Sequence, residues 1–188
     1  MNCLSRRQFL SLGGGAACAL LLSSSPSKSV IMPRSLNEKW IHLYNTHTGE
    51  FFRGPFWASG RYLEASIKQL NKFFRDWRTN EELPIDFRLF EAIHALKSKI
   101  GCSKAFDMIS GYRSPHTNKM LSQKTNGVAK KSLHMEGRAI DIRFRGDALK
   151  KAHRIACALK MGGVGLYPKS QDRFIHIDVR PRIVHWVG

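Results

Sequence analysis

Ten residues, Ser132 to Asp141, read SLHMEGRAID and set a histidine and an aspartate seven positions apart, with a glycine and an alanine between them. Two such side chains can hold a metal ion; they can also be a turn followed by a strand with an incidental acid. Catalytic zinc takes three protein ligands from His, Asp and Glu and leaves its fourth position open. His134 falls in the loop before a strand, Asp141 on that strand's polar face, and Gly137 lets the chain turn so that the two converge. A third ligand is available in Phe174-Ile175-His176-Ile177-Asp178. His176 projects from the polar face of an apolar strand, where a polar side chain needs a partner. Taken singly, His134 reads as a loop histidine and His176 as a half-buried, hydrogen-bonded one; the spacing taken together favours ligands. His42, His47, His94, His116 and His153 lack such a context, and His94 and His153 read as helix residues without a role.

The elements that must position these residues follow from periodicity. Trp40 to Phe56 alternates around a Thr48-Gly49 turn and predicts a hairpin. Leu63, Ile67, Leu70, Phe74 and Trp77 recur at helical spacing. Asp86 to Ile100 predicts a second helix, with Asp86 as N-cap and Gly101 as stop. Phe106 to Ser110 is a short strand, followed by a polar helix or loop to about Lys124. Arg138 to Phe144 reads as a strand with Ile140, Ile142 and Phe144 on one face and Ala139, Asp141 and Arg143 on the other. Asp147 to Lys160 is a helix, Gly162 to Pro168 a turn and short strand, and Phe174 to Val179 the last clear strand. The order predicts an α+β fold with a mainly antiparallel sheet and flanking helices.

The chain has 188 residues, 43% hydrophobic, with 11 Phe and 4 Trp, which suits one domain with a real core and argues against disorder. Residues 1–29 stand apart from it. Ser5-Arg6-Arg7-Gln8-Phe9-Leu10 precedes a short apolar run and a Ser-rich tail, the pattern of a twin-arginine export signal. The run is short and Gly-rich against the ~20 residues of a membrane span. No clean Ala-x-Ala site follows, so cleavage or retention at the inner membrane stays open. Export predicts a bacterial protein working in the periplasm. Cys102 and Cys157 remain outside the signal, and nothing in their context marks them as a pair. The formal charge of +17 attracts polyanions. For an exported chain these are carboxylate-bearing wall peptides and anionic membrane surfaces rather than nucleic acid.

Six stretches carry a resemblance: Asn45-x-His47-Thr48-Gly49-Glu50; Ser110-Gly111-Tyr112-Arg113-Ser114; Gly127-Val128-Ala129-Lys130-Lys131-Ser132-x-His134; Gly163-Val164-Gly165-x-Tyr167-Pro168; Phe174-Ile175-His176-Ile177-Asp178; and His185-Trp186. With them the chain resembles the M15 zinc peptidases, which have the hedgehog and D-alanyl-D-alanine-peptidase fold. Within these it is most similar to the twin-arginine-exported murein endopeptidases. The resemblance implies a peptidase domain over 30–188 and one zinc ion on His134, Asp141 and His176, although this ligand set also suits other divalent metals. It implies cleavage of peptidoglycan stem-peptide cross-links beside meso-diaminopimelate. It gives Arg113 to the developing oxyanion, and Ser132 and Tyr112 to the substrate. Ser132 reads equally as a turn-forming hydroxyl. The general base does not carry over, because many relatives place a carboxylate three residues before the last histidine and Arg173 stands there. Asp178 is the first choice, His185 the second and Asp172 the third; Asp178 could instead orient His176. The rival readings are a carboxypeptidase trimming a terminal D-alanine and a wall-binding module with a vestigial metal site.

Overall fold

The hairpin is present: β1 (Glu38–Asn45) and β2 (Phe51–Ala58) pair antiparallel, and the Asn45 side chain closes the turn by accepting the N–H groups of His47 and Thr48. The computed structural model describes residues 37–124 and 128–188, within a unit that spans Arg34–Gly188; the expected export signal and Gly127 lie outside the described residues. A two-residue strand, β3 (Arg61–Tyr62), and helix α1 (Glu64–Phe73) follow.

Helix α1 stops short of its apolar pattern. Trp77 was expected on the helix, but it stands in the next turn, 38% exposed and stacked on the His47 ring. Asp76 causes the break. Its side chain accepts the N–H of Arg78 two residues on, a local bond that competes with continued helix. Helix α2 (Phe87–Ile100) begins and ends as its sequence predicts: the Asp86 carboxylate accepts the Arg88 N–H, and Gly101 closes the helix in the left-handed conformation. Strand β4 (Phe106–Ser110), helix α3 (Pro115–Lys124), a 3-10 turn (Leu133–Glu136), strand β5 (Ala139–Arg143), helix α4 (Asp147–Leu159), and strands β6 (Gly163–Tyr167), β7 (Phe174–Asp178) and β8 (Val184–Val187) complete the order.

The eight strands form one sheet in the order β3-β2-β1-β4-β5-β7-β6-β8. The pairings β1 with β4 and β6 with β8 are parallel, and the rest are antiparallel. Ile140, Ile142, Ile175, Ile177 and Val164 form an apolar row in the same buried cluster as Leu89, Ile93 and Leu96 of α2 and Ala152 and Ala156 of α4. Fully burying one such aliphatic side chain is worth roughly 1.5–3 kcal/mol. A slip of one residue in β5 or β7 would turn this row out and the polar row in. The apolar row therefore sets the register, and the register decides which polar residues meet on the opposite face. Cys102 and Cys157 are free thiols.

Candidate metal centre

Register brings the centre together. Across the polar face, Ser110 lies opposite Asp141, Asp141 opposite His176, His176 opposite Gly165, and Gly165 opposite Trp186. One rung thus crosses five strands and carries two of the three expected ligands. The third arrives on the 3-10 turn. Ser132 caps that turn by accepting the His134 N–H, and Gly137 ends it at φ 65°. A side chain at 137 would be strained twice, since a Cβ there would sit 2.7 Å from the Pro84 carbonyl oxygen. The Gly137 carbonyl in turn accepts the Asp86 N–H, tying the turn to the start of α2.

His134 Nδ1 lies 2.6 Å from the Gly111 carbonyl oxygen, which can only accept. Nδ1 therefore carries the proton, and Nε2 presents its lone pair. Three atoms converge: His134 Nε2 lies 3.2 Å from His176 Nδ1 and 3.2 Å from Asp141 Oδ1, and the last two are 2.9 Å apart. Bonds of 2.0–2.1 Å to a tetrahedral ion put neighbouring ligands about 3.3–3.4 Å apart, so the triangle fits a zinc-sized ion with little adjustment. Two imidazoles and a carboxylate are also the donor set that zinc accepts. Among the described residues, these three form the group able to hold a metal ion.

The electrostatics of His134 and Asp141 agree with that use. Burial, aided by the Arg113 charge, lowers the His134 pKa to about 4, leaving the ring neutral as a ligand must be. Burial pushes the Asp141 carboxyl upward, but the histidines and the Arg113 guanidinium around it hold it well below its usual range. His176 is opposed by burial too, yet its bonds to Asp141 and Asp178 raise its pKa. Arg113 donates to Asp141 Oδ2 and, through Nε, to Ser110 Oγ at 2.8 Å.

The remaining expected site residues divide. Asp178 is fully buried on the far edge of the His176 ring, 3.1 Å from Nε2, and it also accepts from Arg180 and from the Gly163 N–H. Burial opposes its ionisation, but the His176 and Arg180 bonds lower its pKa. It touches none of the three converging atoms. His185 lies opposite Val164, on the side of the sheet away from the rung, and it is exposed. Asp172 pairs with Arg143 at 3.5 Å. Tyr112 is buried in the hydrophobic core, and Ser132 acts as the turn's cap.

Two residues with a part in the site, Trp186 and Asp76, had been given no role from the sequence. Trp186 lies beside His176, with ring centroids 5.4 Å apart, and its Nε1–H donates to the Tyr167 hydroxyl at 2.9 Å. Only a glycine at 165 leaves room, because a Cβ there would lie 2.6 Å from the indole. Asp76 is 1% exposed and bridges two loops: one oxygen accepts the Ser114 N–H at 2.8 Å, the other the Arg78 N–H at 3.0 Å. Its signal was an aspartate near the end of a helical pattern, where a side chain can capture backbone amides.

The chain that gathers two histidines and an aspartate this way on a mixed sheet, with an arginine on the aspartate, is a peptidase of the M15 class. Within that class the chain belongs to the family described as peptidoglycan L,D-endopeptidase MepK, whose family model matches residues 34–186. The peptidoglycan L,D-endopeptidase MepK of Escherichia coli K12 is 39% identical to it over 182 residues, 97% of each chain. The probable peptidoglycan L,D-endopeptidase MepK of Haemophilus influenzae is 37% identical over 185 residues, 98% of this chain and 96% of the relative. No solved structure matches the chain significantly.

Proposed function

We propose that this chain is an exported, zinc-dependent endopeptidase that hydrolyses peptidoglycan cross-links beside meso-diaminopimelate, with the L,D preference named for its relatives. The observation that carries the reading is the triangle of His134 Nε2, Asp141 Oδ1 and His176 Nδ1, each presenting a lone pair to one point. Zinc bound there supplies Lewis acidity to the scissile carbonyl. The protein's own groups do the rest. Gly111 fixes the His134 tautomer, and Asp178 fixes the His176 ring from behind. Arg113 holds Asp141 with part of its fork and keeps further N–H donors for negative charge developing on the substrate. Asp178 thus serves here as a positioning residue rather than as the base.

The next rung supports a substrate that extends to both sides of the centre. Tyr44, Asp107, Arg143, Phe174 and Tyr167 stand opposite one another in succession, two residues along from the metal rung on β5, β7 and β6 and, across the irregularity in β4, three at Asp107. That places them about 7 Å from it on the same face. A track of aromatic and charged side chains running past the ligands suits a cross-linked peptide better than a chain end.

The test is digestion of purified sacculi followed by separation of the muropeptides. Chelation should abolish cleavage and zinc should restore it. His134→Ala, Asp141→Ala and His176→Ala should each lose metal while staying folded. Full metal content in His176→Ala would sink the ligand assignment. Release of single D-alanine residues without loss of cross-links would make the protein a carboxypeptidase instead.

A further inference from the structure

The arginines around the centre have carboxylate partners: Arg113 with Asp141, Arg143 with Asp107, Arg180 with Asp178, and Arg75 with Glu50. Arg78 differs. Among the described residues, no carboxylate oxygen lies within ion-pair distance of its guanidinium, whose contact is instead with the Trp77 ring, 4.0 Å from the centroid. Trp77 is itself stacked on His47, at 4.2 Å and 15°. A guanidinium held over an aromatic ring spends no N–H donor on a carboxylate there, and its planar fork can take one in a bidentate fashion.

The position of Arg78 is built. Asp76 accepts the Arg78 N–H with one oxygen and the Ser114 N–H with the other. The Phe74 carbonyl accepts the Tyr112 N–H at 2.8 Å. The turn that carries Arg78 is therefore bolted to the loop that carries Arg113, on both sides of Arg113. The two cations feel each other. Burial lowers the Arg78 pKa, the Asp76 charge opposes this, and the Arg113 charge lowers it further. The nearby acids are already engaged: Asp76 by backbone amides, Asp141 by Arg113 and the two ligand histidines. Two like charges held together by a rigid frame leave a place for an anion.

We propose that Arg78, laid on the Trp77–His47 stack, is a carboxylate-binding subsite beside the metal centre that takes a free carboxylate of the acidic stem peptide next to the scissile bond. The proposal rests on the endopeptidase reading above and names the feature of the substrate that the site selects. Arg113 remains with Asp141, and Arg78 anchors the substrate. His47 and Trp77 support the anchor, which gives the Asn45-x-His47 motif a part that the metal ligands do not.

The experiment uses two synthetic cross-linked peptides that differ only in whether the diaminopimelate carboxylate beside the scissile bond is a free acid or a carboxamide. The zinc-loaded full chain should prefer the acid by about 10- to 100-fold in kcat/KM, the range for a hydrogen-bonded charge. The preference should sit in KM, because the contact is made equally before and during reaction. Arg78→Gln should raise KM for the acid by that factor, leave KM for the amide unchanged and keep full zinc content. Arg78→Lys should recover only part of the preference, since it keeps charge but not the fork. Equal losses on both peptides, or none on either, would overturn the proposal. If the native protein cleaves neither peptide, the endopeptidase reading fails by itself. Calorimetric binding of the same two peptides to the zinc-loaded protein then decides the subsite: an acid preference abolished in Arg78→Gln upholds it, and equal affinities overturn it.

Discussion

The imidazole of His176 is gripped at both nitrogens, by Asp141 at Nδ1 and by Asp178 at Nε2. Only the first faces the converging lone pairs. A carboxylate behind a ligand histidine fixes ring and tautomer, and its removal commonly costs about 10- to 100-fold in metal affinity. Asp178→Asn should therefore weaken zinc binding by that factor, measured by competition with a chromophoric chelator, and turnover at saturating zinc should return to near normal. A deficit of about 100-fold or more that persists with full zinc would restore Asp178 as the base. The meeting of Asp141 and His176 was legible because alternation names the face a strand residue occupies. The edge of the ring that Asp178 would meet was not, since residues two apart share a face whether they stand before or behind an imidazole. The place of His185 on the sheet was not legible for a related reason. One residue of register decides whether it or Trp186 joins the rung, and register with β6 is a tertiary fact.

At the scale of elements, the end of α1 matters most for the site. The apolar period runs on to Trp77, yet the helix ends at Phe73 and Asp76 takes over the backbone. Helical spacing alone could not show this, because a side chain that bonds its own backbone competes with the helix locally. Helix α2 was legible at both ends, where Asp86 and Gly101 state their caps directly. Strand β8 was not foreseen; four residues at a sheet edge carry too little pattern. Asp76→Asn should lower stability by about 1.5–3 kcal/mol, the worth of a hydrogen bond to a charged group. For a domain of this size that is about 2–4 °C of Tm per kcal/mol. Burial opposes the ionisation of Asp76, but the neighbouring Thr117 hydroxyl and the Ser114 and Arg78 N–H groups lower its pKa. The sign follows. A carboxyl whose folded pKa is depressed stabilises the fold above its unfolded value of about 3.9 and loses that contribution as pH falls through the folded value. The gap between native protein and Asp76→Asn in urea melts should be full at pH 6 and should shrink below about pH 4. A gap independent of pH would show that the carboxylate charge is not what holds the two loops.

For the molecule as a whole, the charge of +17 and the sequence pI of about 10.2 describe a surface drawn to acidic polymers. Peptidoglycan stem peptides are such a polymer, and a short-range carboxylate contact at Arg78 would act after that long-range attraction. Among the described residues, no helix is long and apolar enough to cross a membrane. Delivery to the wall is expected to depend on the twin-arginine pattern in residues 1–29, which lie outside the described residues. Replacing Arg6 and Arg7 by Lys should hold the protein in the cytoplasm, as read by fractionation and immunoblotting. Unchanged periplasmic yield in a strain lacking the twin-arginine translocase would reject that route.

The clasp made by Asp76 has an evolutionary consequence. It grips Arg78 and Ser114 through their backbone amides. Any residue but proline offers the same amide. Position 78 is then free to vary among descendants while the loop that carries Arg113 stays in place. Taste for different wall chemistries can drift one substitution at a time, with the frame around the metal inherited intact, and the constraint falls on the aspartate rather than on the residue that touches substrate.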